Sequence, residues 1–130
     1  MFLEDELHVA YKLINSPILN FPFPHLYEEN IFSEKFYSDI QENLPDLNEM
    51  TSLAALAPEM PGLSIYNDRM VIDFSKKKSI QKVTKGKREF WTSFHEQMAP
   101  NLLNIFQAKF KNFLDMRFKY LKNVSYFDQL

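Results

Sequence analysis

Apolar positions set the predicted elements. Near the start of the chain Leu7, Ala10, Tyr11 and Ile14 recur three or four residues apart, which predicts a short amphipathic helix over Glu4–Ile14 with those residues as its apolar side. Pro22 and Pro24 lock φ and hold the next stretch extended, so His25–Glu29 reads as a short strand. Asn30–Ser33 makes a turn, Ser33 is the predicted N-cap, and Glu34 puts a carboxylate at the favourable end of the helix dipole. Phe36, Tyr37, Ile40 and Leu44 then form one apolar stripe, until Pro45 ends the helix. Leu47–Met60 is a long connection with one or two helical turns, read either as a functional lid or as a variable insertion.

After a turn at Asn67 and Asp68, Arg69–Phe74 alternates, with Met70, Ile72 and Phe74 on one side, and predicts a strand able to pair with His25–Glu29. Trp91, Phe94 and Met98 share one side of a helix predicted over Arg88–Ala99. Pro100 starts another, in which Leu103, Phe106, Phe110, Phe113, Leu114 and Leu121 recur every three or four residues. Asn123–Phe127 reads as the start of a strand.

Composition bounds the class. A chain of 130 residues, 45% apolar and with 13 phenylalanines, is globular and able to bury one core, so a single domain is the default. Only two glycines are present, which leaves few positions for the φ-positive turns of a complete small barrel and argues against one within this chain. The absence of cysteine removes disulfides, thiolate metal sites and cysteine nucleophiles. Glu4, Asp5 and Glu6 stand where a secretory signal would be basic, and no apolar run approaches the roughly 20 residues of a membrane span. A cytoplasmic protein with no membrane partner is the expectation.

Charge is divided along the chain. Up to Met60 the only lysines or arginines are Lys12 and Lys35, whereas Ser75–Arg88 holds Lys76, Lys77, Lys78, Lys82, Lys85, Lys87 and Arg88 with no acid. That run is either a nucleic-acid or acidic-partner surface or a solvated connection balancing the acidic half, the second being the favoured reading. Flexible connections are expected near residues 47–62 and 75–88.

The block Phe21–Asp46, with its proline-aromatic-proline-His run, Asn-apolar-Phe turn and helix ending in Leu44-Pro45, resembles the N-terminal part of small 2-oxoglutarate and Fe(II)-dependent oxygenases of the prolyl-hydroxylase-like superfamily. Asp68–Ile72 looks like the following strand. Phe90, Trp91, Phe94, Leu102, Leu103 and Phe110 look like the helical region before the catalytic barrel, so the resemblance covers roughly Ile14 to Tyr126. It implies an α+β chain: the N-terminal helices and a few strands of a double-stranded β-helix (jelly-roll, cupin-like) oxygenase, with the catalytic barrel largely missing.

Such enzymes hold iron with two histidines and a carboxylate, since a facial N,N,O set leaves positions open for keto acid and oxygen. The first ligands are a histidine and an acid two residues later. Here His8 is followed at that spacing by Ala10, His25 by Tyr27 and His95 by Gln97. His95 and Glu96 are adjacent on a predicted helix and diverge by roughly 100°. His25 is expected as a buried imidazole bonded to backbone, His8 as a helix-surface residue and His95 as a partly exposed one. Arg69, Arg88 and Arg117 precede the place where the 2-oxoglutarate anchor of the family would fall, and none is assigned to it.

No phosphate loop or nucleophile elbow is present either. Lysines beside Phe106, Phe110, Phe113 and Phe118 read as the solvated flank of a core stripe rather than as a base-stacking strip. The expectation is a catalytically silent scaffold portion with no catalytic, cofactor or metal residues of its own, Fe(II) and 2-oxoglutarate belonging to a full-length family member and the missing barrel being its partner. The alternative is a non-enzymatic interaction domain that uses Lys76–Arg88 to bind an acidic partner or nucleic acid.

Overall fold

The computed structural model describes residues 2–60, 62, 65 and 68–119. They form two compact units, one from residues 2–36 with 97–119 and the other from residues 37–96. The chain is mostly helical with one small two-stranded antiparallel sheet, an α+β composition. No double-stranded β-helix is present among the described residues.

In the first unit α1 (Leu3–Asn15) opens with Glu4, Asp5 and Glu6 against its positive end and stops at Ser16, before Pro17. The helix forms where its spacing predicts, but the opposite face is buried. Val9 and Leu13 are inside with Phe2, whereas Leu7, Tyr11 and Ile14 are more than 60% exposed. The period specifies a helix without specifying which of two apolar stripes finds a partner. The helix that lies against α1 is α6 (Ala99–Lys109), while Phe2, just before α1, and Phe32 meet the fully buried Phe36 with edge-on ring contacts at 5.3 and 5.5 Å.

Between α1 and α2 (Glu34–Glu42) the predicted strand His25–Glu29 is not formed. His25 makes one antiparallel bridge with Leu19, with N–H···O distances of 2.7 and 2.8 Å, and the prolines confine pairing to that point. Asn30 takes a left-handed φ of 53°, a conformation its short polar side chain tolerates, and turns the chain toward Ser33. Ser33 caps α2 as predicted, its Oγ accepting from the Phe36 N–H at 3.2 Å. Of the predicted α2 stripe only Phe36 is buried; Tyr37 and Leu44 are more than half exposed.

Later in this unit α6 (Ala99–Lys109) runs parallel beside α1. Asn101 bonds Glu6 at 2.6 Å at one end, and the Lys109 ammonium donates to the Ile14 carbonyl at 3.0 Å at the other. Phe110 separates α6 from α7 (Lys111–Arg117), so the long predicted helix is two shorter ones. Its predicted end at Leu121 and the predicted strand Asn123–Phe127 lie outside the described residues.

The second unit holds the sheet. β1 (Thr51–Ser52) pairs with β2 (Met70–Val71) in the register Thr51 opposite Val71 and Ser52 opposite Met70. The predicted strand Arg69–Phe74 thus shrinks to two residues and pairs with Thr51–Ser52 instead of His25–Glu29. Ser52 then caps α3 (Leu53–Leu56), accepting from the Ala55 N–H at 3.3 Å. Beyond β2, Asp73 accepts from Ser75 N–H at 2.9 Å and Oγ at 2.5 Å, while its own N–H donates to the fully buried Ser79 Oγ at 2.8 Å.

That arrangement starts α4 (Lys77–Gln81), and α5 (Lys85–Ser93) follows after Thr84. The basic run expected as a connection is therefore substantially helical. Trp91 on α5 donates its indole N–H to the Asn43 carbonyl at 2.7 Å, satisfying a carbonyl at the end of α2. A π-helical turn, Phe94–Met98, carries the backbone from α5 into α6, with Pro100 just after the turn. The boundary predicted at Pro100 falls one residue earlier.

Candidate functional site

The densest polar constellation lies in the second unit and centres on Glu49. Pro45 ends the preceding helix, and Asp46-Leu47-Asn48-Glu49 then forms a capping box on a 3₁₀ turn, in which the Glu49 carboxylate accepts from the Asp46 N–H at 2.8 Å. The other carboxylate oxygen accepts from the Thr84 N–H at 2.8 Å and from the Thr84 hydroxyl. Lys87 donates to Glu49 at 3.0 Å and to Asp46 at 3.1 Å.

Glu49 is buried, and the Thr84 hydroxyl, the Asp46 and Thr84 amides and then Lys87 hold its carboxyl down at about 2. Lys87 is pushed up in turn, chiefly by its bond to Glu49 and then by Asp46. Every strong donor here is already satisfied by a carboxylate of the same unit. The cluster ties the Asp46–Glu49 turn to the start of α5. Sequence reading missed it; the Asp-x-x-Glu spacing after Pro45 is the local signal that marks its first half.

Three lysines of the basic run are engaged in the same unit. Lys76 donates to the Leu56 carbonyl, Lys82 to the Met50 carbonyl at 3.2 Å, and Lys87 to the two acids. Lys77 and Lys78 stand exposed on α4, and Lys85 faces Glu89 at 3.9 Å.

The first unit has a smaller counterpart. Glu28 accepts from the Ser16 hydroxyl and from Lys12 at 3.2 Å, bonds that lower its pKa in that order of importance and tie the segment after His25 to the end of α1. The same unit carries a groove of about 530 Å³ lined by Pro24, Phe110, Phe113, Leu114, Met116 and Arg117. It joins a proline of the Phe21–Asp46 block to the apolar side of α7. Met116 is 73% exposed in it.

Each histidine has its own neighbour. His8 Nε2 lies 3.3 Å from the Asn30 carbonyl. His25 Nδ1 lies 2.7 Å from the Phe23 carbonyl, the backbone bond expected of it, with the ring half-buried rather than buried. His95 stacks on Phe74, ring centroids 4.9 Å apart and planes 10° from parallel. No group of three or more His, Cys, Asp or Glu side chains able to hold a metal ion occurs among the described residues. Among the same residues, no helix is long and apolar enough to cross a membrane. Comparison with protein-family models, with curated proteins and with solved structures finds no match for the chain.

Proposed function

We propose that the chain is the N-terminal scaffold portion of a 2-oxoglutarate and Fe(II)-dependent oxygenase-like protein, a jelly-roll enzyme whose reaction would be hydroxylation coupled to decarboxylation of the keto acid. In this reading the 130 residues are catalytically silent, and the iron and keto-acid ligands belong to polypeptide outside them. The observation that carries it is the open apolar groove in which Pro24, from the block that resembles the family, meets Phe110, Phe113, Leu114 and Met116. A groove of that lining is suited to receive apolar structure, and a scaffold that supports a barrel needs such a face.

The absence of an acid two residues after any of the three histidines supports the silence of the chain itself. Calorimetric titration of the purified chain with Fe(II), under anaerobic conditions, and with 2-oxoglutarate tests it. The expected result is no stoichiometric uptake of either; one-to-one binding of both contradicts the proposal.

A second reading, an interaction domain for an acidic partner or nucleic acid, draws on Lys77 and Lys78, which α4 presents to solvent. The engagement of Lys76, Lys82 and Lys87 inside their own unit reduces the charge it has to work with. Binding to a mixed-sequence oligonucleotide that weakens steeply with salt would favour this reading over the first.

A further inference from the structure

The face of α1 turned to water is a continuous apolar stripe. Leu3, Leu7, Tyr11 and Ile14 are 69, 61, 68 and 62% exposed, and Leu3, Leu7, Ala10 and Ile14 follow the four-three-four spacing of a helix-pairing seam. We infer that this stripe pairs two copies of the chain, α1 against α1, antiparallel about a two-fold axis. The inference uses a face separate from the α7 groove and does not depend on the oxygenase reading.

Charge distribution selects the occupant. One end of the stripe is flanked by acids, Glu4 and Glu6 in the first turn, Asp5 being turned to Ser33 on the other side of the helix. The other end carries the Lys109 ammonium, held 3.0 Å from the Ile14 carbonyl by the parallel helix α6. A patch with opposite charges at its two ends is self-complementary when one copy is turned end for end, which is what an isologous interface requires.

A two-fold axis across the helices also brings the same flank of both copies together. The Glu6 end of one copy therefore meets the second copy's Lys109, and each helix N-terminus lies beside a C-terminus. Parallel pairing would set the acidic turns against each other. Other occupants fit less well. Membrane-surface helices carry basic residues on the polar face, whereas the lysine of α1, Lys12, is bonded to Glu28. A stripe on a convex helix does not enclose a small molecule. The acidic first turn repels nucleic acid.

A single 13-residue helix per copy offers less than the ~800 Å² per partner of a standard stable interface, so the dimer is a weak one. Sedimentation of the full chain across concentrations from the low micromolar to the millimolar range tests the inference. The expected result is a mass rising from 15.5 kDa toward twice that. Leu7→Glu should remain helical by circular dichroism and stay monomeric. Glu6→Lys and Lys109→Glu should each weaken the dimer by about tenfold, because the pair occurs twice, and the double variant should recover it.

A constant monomer mass overturns the inference, as does association that survives Leu7→Glu or a double variant no stronger than the single ones. Association abolished by Met116→Glu and untouched by Leu7→Glu would assign self-contact to the α7 groove instead, and would equally overturn it.

Discussion

Phe36 and Glu49 show two ways in which single residues fix this chain. Phe36 is fully buried between two aromatic rings, so Phe36→Ala should cost about 3–5 kcal/mol in a denaturant titration, while Ser33→Ala, which removes the cap three residues before it, should cost about 1 kcal/mol. Glu49 acts through charge. Its carboxyl titrates at about 2 in the folded chain against an ordinary value near 4.5, so the unfolded chain binds more protons between those values. Its stabilisation is complete above about pH 4.5 and is lost as pH falls toward 2. Fluorescence of Trp91, the chain's one tryptophan and a residue of the same unit, should show the unfolding midpoint dropping across that window, and Glu49→Gln should flatten the dependence. The Ser33 cap was legible because capping is local, with donor and acceptor three residues apart. The Glu49 site was legible only in its Asp46 half, since Thr84 and Lys87 come 35 and 38 residues later and spacing along the chain carries no trace of them.

Elements formed largely where periodicity placed them, and their faces and partners were less visible. α1 and α2 occupy the predicted stretches and α2 ends before Pro45, because propensity and proline geometry are properties of a few neighbouring residues, whereas at Pro100 the helical backbone runs on through a π turn instead of resetting. Which stripe of α1 is buried depends on neighbours distant along the chain, α6 among them, and two stripes of similar apolarity compete for that role. In dilute solution Leu13→Ala should therefore cost about 2–5 kcal/mol, while Leu7→Ala should lie within about 0.5 kcal/mol of the parent by thermal or denaturant unfolding. Strand pairing was read to the wrong partner for a related reason. Two-residue strands carry almost no alternation, and the bond from Leu53 N–H to the Arg69 carbonyl at 2.8 Å extends a register that only the folded turn defines. The basic run became α4 and the start of α5 because Asp73, Ser75 and Ser79 organise its first turn, a polar pattern that counting lysines does not register.

At the scale of the molecule, a chain that is 45% apolar buries, among its described residues, Phe2, Val9, Leu13, Phe36, Ala57, Val83 and Met98, and leaves large apolar groups such as Leu3, Phe21, Tyr27, Leu47 and Met116 in water. Composition announced a large core; the described residues supply a small one and several apolar faces. Such faces suit a scaffold whose function is to be covered, which is the proposed role, with the barrel on the α7 groove and a second copy on α1. If the groove serves that purpose, Met116→Lys should leave the unfolding midpoint of the isolated chain within about 0.5 kcal/mol of the parent, since Met116 is already in solvent. The central claim is tested most directly by the nucleotide sequence downstream of codon 130. The account predicts a His-x-Asp or His-x-Glu pair within a few dozen codons, with a second histidine and a basic keto-acid anchor further on. A frame that closes without any such pair would contradict it.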